Sequence, residues 1–177
     1  FSSFDRVANL EPIPLLGGEK AVYDPRRLVF SLDEMINKPN NYFSDAEASI
    51  LRKMMPAAPT STGFGRVLDA LSCYFEVCQK RTYDGEPAMK LERILAAGEN
   101  KFDFNVEVKN NILLTSKLYR DMTDTSGTPA DLSYSFVYAL LNTMVNIAVD
   151  KGESAGIKTI GITGGVSYND PISSMGK

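Results

Sequence analysis

Apolar positions recur at helical spacing in several stretches of the chain, and proline and glycine mark the joints between them. Leu28, Val29, Leu32, Met35 and Ile36 form one stripe behind Asp24 and Pro25, which predicts a helix with Asp24 as N-cap and proline at its first position. A second helix is predicted to start at Ser44, with Glu47 as its capping-box partner, and to end before Pro56. From Ser61 the chain reads STGFGRVLDALSCYFEVC, where Phe64, Val67, Leu68, Leu71 and Phe75 share a helical face that Arg66 and Asp69 do not join. Asp69 is therefore expected on a face that could meet a ligand. Residues 86–97 predict a helix closed by Gly98, and residues 114–122 predict another. The strongest pattern runs over residues 130–151, with the stripe Leu132, Phe136, Val137, Leu140, Met144 and Ile147.

Strand patterns are fewer. Residues 4–16 carry Val7, Leu10, Ile13 and Leu15 around Pro12 and Pro14, an extended or edge-strand pattern followed by a turn at Gly17 and Gly18. Residues 102–108 alternate like a strand, and residues 157–162 form a short β-branched run expected to be buried on both faces. Together these elements predict an α/β fold. The last run leads into Gly164, Gly165 and Asn169. Paired glycines between a strand and a helix let backbone N–H groups approach an anion, with the helix dipole favouring negative charge. The same glycines also serve a tight turn for purely conformational reasons.

Composition narrows the classes. With 177 residues, 44% of them hydrophobic and 23% charged, the chain has ordinary globular make-up, and a single domain over residues 1–177 is the simplest expectation. A formal charge of -3 lacks the clustered cations that a nucleic-acid partner requires. Cys73 and Cys78, five positions apart in a helical-looking stretch, face different sides and read as reduced thiols of a cytoplasmic protein. No apolar run suggests the roughly 20 residues of a membrane span, so a soluble protein without a membrane partner is expected. The chain has no His, which excludes any histidine-dependent mechanism within this polypeptide alone. It begins at Phe1 and stops at Lys177 just beyond a glycine-rich turn, so both ends are expected to be cuts.

Four segments carry a resemblance: PLLGGEKAVYDPRRL from Pro14, STGFGRVLDA from Ser61, TYDGEPAMKLE from Thr82 and GITGGVSYN from Gly161. In this order they resemble the C-terminal region of the hydrogenase maturation carbamoyltransferase family HypF. Two of the motifs also resemble the related tRNA threonylcarbamoyladenosine synthase subunit. The resemblance implies an incomplete actin/Hsp70-like (ASKHA) ATPase-type domain with a helix-rich subdomain. It implies ATP or carbamoyl adenylate as ligand and transfer of the carbamoyl group to the C-terminal cysteine of a HypE-like partner. The nucleotide-binding positions it implies are Asp69 for the ribose, Gly85 with Glu86 beside it for close backbone approach, Lys90, and Gly164, Gly165 and Asn169 for phosphate and adenosine.

The chain also departs from the family's pattern. Lys90 stands where relatives carry a carboxylate, so an acceptor has become a donor. Phe136 and Val137 occupy positions where members often have Phe-His. The family's metal is held by an H-x-x-x-H pair and an acid before this region and by an Asp after it, so the resemblance implies a nucleotide half-site without metal ligands, inactive in isolation. Two alternatives accompany this reading. One is a non-catalytic interaction protein that kept the fold. The other is an actin-fold phosphotransferase, which would need an Asp base and a phosphate hairpin that the sequence does not offer. An incomplete sheet would also expose edges, and self-association is a further expectation.

Overall fold

The computed structural model describes residues 6–175. The chain opens with two short strands, β1 (Asn9–Leu10) and β2 (Ile13–Pro14), then α1 (Glu19–Tyr23), α2 (Arg26–Met35) and α3 (Asp45–Met54). After a 3-10 turn come β3 (Thr60–Ser61), α4 (Phe64–Tyr74) and α5 (Glu86–Leu95). A hairpin of β4 (Val108–Lys109) and β5 (Ile112–Leu113) precedes α6 (Thr115–Thr123), α7 (Pro129–Ser154), a second 3-10 turn and α8 (Asp170–Met175). The fold is α/β and helix-rich, as expected. The described residues divide into two compact units, one of residues 12–97 and one of residues 6–11 with 98–175.

In the unit of residues 12–97, β2 pairs antiparallel with β3, Ile13 opposite Ser61. Gly17 and Gly18 then take φ of 83° and 61°, which a glycine adopts without the steric cost of a side chain, and turn the chain into α1. Leu16, Phe30, Ala48 and Leu51 form a buried cluster onto which Phe43 and Met54 pack. Phe30 meets Phe43 edge-to-face at 5.7 Å. Burying a side chain such as Phe30 stabilises by roughly 2–3 kcal/mol. The capping box of α3 forms as predicted: Ser44 accepts from the Glu47 N–H, and the Glu47 carboxylate accepts from the Ser44 N–H. Asp24, by contrast, is not a side-chain cap. Its carboxylate is taken by Arg26 at 2.6 and 2.8 Å, and its carbonyl accepts from the Arg27 N–H instead. Two adjacent guanidinium groups outcompete the amides of the first turn for a short carboxylate.

The other unit has a three-stranded sheet in the order β1-β5-β4, with β1 parallel to β5 and β4 antiparallel to it. Asn110 and Asn111, at φ of 52° and 62°, form the two-residue turn of the hairpin. α6 packs on α7 through buried Leu118, Tyr119 and Met122. Thr128 caps α7 by accepting from the Asp131 N–H.

Several expectations change here. Residues 102–107 carry no ladder; they alternate in burial, but only Val108 and Lys109 find a strand partner. Residues 157–162 are not a buried strand: Ile157, Ile160 and Ile162 are exposed and the segment pairs with no strand among the described residues. A β pattern selects the faces of a strand, but the ladder itself needs a neighbour. Gly98 is not a left-handed cap. It lies beyond the end of α5, and a Cβ there would sit 2.2 Å from the Ala130 carbonyl oxygen, so the glycine serves close approach to α7. Cys78 lies beyond the end of α4 rather than on it, and both cysteines are free and buried. The expectation of extended structure over residues 4–16 holds as two separate strands, with Phe4 outside the described residues. Contrary to expectation, α7 is long enough for a membrane span and contains an 18-residue window of mean hydropathy 1.4. Its fully buried residues cluster in its first half, from Leu132 to Leu141, the pattern of a helix that carries a protein core.

Candidate functional site

α4 packs against α2 on one side and α5 on the other, so apolar residues are buried around most of its circumference: Val67, Leu68, Ala70, Leu71 and Cys73. Asp69 is caught inside. It is 2% exposed, not on an open face as the helical stripe predicted, because a helix wedged between two others has no broad water-facing side.

The Asp69 carboxylate lies 2.8 Å from Nη1 of Arg66, one turn earlier on the same helix. Neither that nitrogen nor Asp69 Oδ2 makes a hydrogen bond, and both are sealed from solvent. The contact is an ion pair without hydrogen-bond geometry. Oδ1 is not among these sealed, unpartnered atoms. Burial pushes the acid up to about 6; Arg66 and then Arg81 pull it down, and Asp84 pushes it up again. Loss of hydration outweighs two cations here because a carboxylate with few donors is poorly solvated by the protein.

The first turn of α5 stands beside α4. Gly85 precedes it at φ 76°, a left-handed conformation that a side chain would strain. Glu86 follows, 4% exposed, and accepts from the Thr82 N–H at 2.5 Å and the Thr82 hydroxyl at 2.8 Å. Lys90, one turn on, completes the arrangement with Nζ 2.6 Å from Glu86. Lys90, then Thr82, hold Glu86 down to about 2. Lys90 is itself raised by Glu86. The loop before this turn is fixed by Arg81, whose Nε donates to the Tyr83 carbonyl at 2.9 Å and whose guanidinium pairs with Asp84 and covers the Tyr23 ring. Cys78 sits within electrostatic range of Glu86, Lys90 and Asp69, its thiol raised first by burial. Cys73 is pushed up to about 12 by burial and is a poor nucleophile.

The remaining candidates belong to the other unit. Gly164, at φ 104°, opens a 3-10 turn over Gly165–Tyr168. Its carbonyl accepts from the Ser167 N–H at 3.0 Å and from the Ser167 hydroxyl at 2.7 Å. A Cβ at either Gly164 or Gly165 would meet nothing within 4 Å, so packing does not demand these glycines; the turn at Gly164 does. Asn169 is buried, and its Oδ1 accepts from the Ile172 N–H at 3.2 Å, capping the six-residue α8.

Asp69, Gly85, Glu86 and Lys90 are thus grouped around the α4 and α5 pair, while Gly164, Gly165 and Asn169 form a separate turn in the second unit. The sequence reading missed Arg66, Arg81 and Thr82 as members of the first group. Their signal was present as spacing: Arg66 to Asp69 is i,i+3, and Thr82 to Glu86 and Glu86 to Lys90 are i,i+4. Among the described residues no three Cys, Asp or Glu side chains come together as a metal site.

The profile of the family described as carbamoyltransferase, Kae1-like domain, second subdomain, matches residues 1–176. The probable carbamoyltransferase HypF of Methanocaldococcus jannaschii is 36% identical over 185 residues, which covers 95% of this chain and 24% of that protein. The carbamoyltransferase HypF of Rhodobacter capsulatus is 34% identical over 103 residues, 54% of this chain and 14% of that protein. The crystal structure of T. kodakarensis HypF superposes with a TM-score of 0.80 at 28% identity, over 97% of this chain and 25% of that one. A full-length HypF in a phosphate- and nucleotide-bound form shares the fold with a TM-score of 0.84 at 19% identity, over 98% of this chain and 25% of that one. The chain therefore spans about a quarter of the length of these relatives.

Proposed function

Because the chain belongs to the HypF carbamoyltransferase family, we propose that residues 1–177 form a carbamoyltransferase-like nucleotide-binding domain supplying the nucleotide side of a carbamoyl-transfer site. The observation that carries this reading is Asp69, a carboxylate buried to 2% exposure whose Oδ2 lies against Arg66 without a hydrogen bond, so that the protein leaves the acid short of donors. An acceptor in that condition suits a ligand hydroxyl, and a ribose offers two adjacent ones. The phosphate- and nucleotide-bound state of one similar HypF supports the choice of ligand.

In this reading the ligand is ATP or carbamoyl adenylate. Asp69 takes the ribose, and Gly85 admits the nucleotide close to the backbone. Glu86 and Lys90 hold the loop carrying Gly85 in place. The transfer step joins the sulfur of a HypE-like protein's C-terminal cysteine to the carbamoyl carbon. The bond from that carbon to the phosphate oxygen breaks, AMP leaves with the electron pair, and the thiol proton goes to solvent or a base. This reaction belongs to hydrogenase maturation in the cytoplasm. The family's metal would polarise the carbamoyl carbonyl when bound. In this reading the ligands of that metal are not supplied by this chain, and the chain alone is inactive.

Calorimetric titration of ATP into the wild-type chain and Asp69→Asn tests the reading. A loss of roughly 10- to 100-fold in the variant is expected for a hydrogen bond to a charged acceptor. Equal affinity in the two proteins would remove Asp69 from the site. No heat with the wild type would favour the non-catalytic interaction protein.

A further inference from the structure

Arg66 and Asp69 divide one carboxylate between two tasks. Oδ2 is held against the Arg66 guanidinium at 2.8 Å and sealed from solvent without a hydrogen bond, while Oδ1 is not left in that condition. An ordinary helix-surface pair does not look like this. Asp69 is buried at 2% exposure and Arg66 is half-buried at 22%, in a helix that packs against both α2 and α5. If the pair served only stability, a bent contact in which neither buried atom hydrogen-bonds would be a poor solution, since burying charge without donors costs more than the attraction returns. What the arrangement does achieve is orientation: one oxygen is fixed and the other is presented.

We propose that Arg66 is a positioning residue for nucleotide, clamping Oδ2 of Asp69 so that Oδ1 is offered, ionised, to the ribose hydroxyls. The inference rests on the nucleotide-binding reading above. Arg66 itself need not touch the ligand. The charged groups facing Asp69 are Arg66 on its own helix and Arg81 and Asp84 from the loop before α5, with Cys78 also in range. On the α2 side, Asp24, Arg26 and Asp33 act on Cys73 one turn further along. Arg66 is the foremost cation acting on Asp69, so its removal leaves a carboxyl that binds its proton at higher pH.

The test follows ATP affinity from about pH 5 to about pH 9 in the wild-type chain, Arg66→Gln and Arg66→Lys. Wild-type affinity is expected to fall as pH drops through about 6, where Asp69 protonates. In Arg66→Gln that midpoint moves upward, costing on the order of tenfold in affinity at neutral pH and converging on the wild type in alkali. Arg66→Lys restores most of the wild-type profile. Carbon-13 NMR of the Asp69 carboxyl in the ligand-free proteins is expected to show the same ordering. An Arg66→Gln profile with an unmoved midpoint, whether weakened equally at every pH or unchanged, overturns the proposal. If Arg66→Gln does not fold, Arg66→Lys with an unshifted carboxyl but wholly lost affinity overturns it as well. Wild-type protein that binds no ATP at any pH defeats the underlying nucleotide reading, an outcome distinct from these.

Discussion

Two carboxylates on neighbouring helices, one in the middle of α4 and one in the first turn of α5, are buried to almost the same depth and held in opposite ways. Asp69 is 2% exposed and Glu86 4%. Glu86 has the Thr82 N–H, the Thr82 hydroxyl and Lys90 around it and is held down to about 2. Asp69 has an arginine at 2.8 Å but no hydrogen bond, and it is pushed up to about 6. Depth therefore does not decide the state of a buried acid in this protein; the donors supplied to it do. Glu86 is satisfied by its own chain and organises a loop. Asp69 is left short, a condition the fold has no structural reason to keep and one that a ligand can offset.

Neutralising Asp69 puts that contrast to its hardest test. Its folded-state value lies above its ordinary 3.8, so the folded protein binds the extra proton between those values. Stability consequently falls as pH rises from about 4 to about 6 and stays lowered above that. Asp69→Asn removes the ionisation. The variant is expected to be more stable at neutral pH by about 2 kcal/mol, with an upper bound near 3 kcal/mol at about 1.4 kcal/mol per pH unit, because Arg66 loses its partner. Near pH 4 the two proteins should match. Urea unfolding at both pH values measures this, and an Asp69→Asn protein less stable than wild type at neutral pH would mean the ion pair outweighs the missing donors.

Glu86→Ala carries the opposite expectation. Its folded-state value lies below its ordinary 4.5, so its contribution is fully present above that pH and is lost as pH falls toward about 2. Removing it strands the Thr82 N–H and frees the loop that leads into Gly85. A fall of roughly 5 °C in Tm at neutral pH is expected, shrinking in acid. Scanning calorimetry at two pH values reads both parts, and an unchanged Tm would show that the loop before α5 is held by Arg81 instead.

The sequence made the helices legible because each advertises itself locally: the capping box of α3 and the apolar stripe of α7 are complete within a few turns of chain. It could not place residues 157–162, since alternation and branching define a strand's faces while its partner is a matter of what lies alongside. Asp69 was legible as a candidate and misread in its surroundings. The stripe counted on α4 was one helical face, whereas Ala70 and Cys73 extend burial around the helix to meet a second neighbour. Lys90 was read as a donor standing where relatives carry a carboxylate. In the fold it turns back one helical turn to Glu86, a pairing that i,i+4 spacing allowed but did not require. Arg66 was read only as a residue off the apolar stripe, since a cation three positions before an acid is common on helix surfaces and only burial makes the pair unusual.

The smallest expected effect is also the one that separates charge from hydrogen bonding. Lys90→Met deletes the cation beside Glu86 but leaves both Thr82 donors in place. The lysine is 46% exposed, so its pair is screened by water and Tm should move by no more than about 2 °C. Glu86 should rise from about 2 while staying below its ordinary 4.5, which a carbon-13 titration of its carboxyl can follow. Suppose instead that Lys90→Met loses as much stability as Glu86→Ala. The cation would then be what satisfies Glu86, and Asp69, with an arginine at 2.8 Å, should be satisfied in the same way. A small change in Tm with a partial rise in the carboxyl leaves the donors from Thr82 as the difference between the two acids, and Asp69 as the one still waiting for its own.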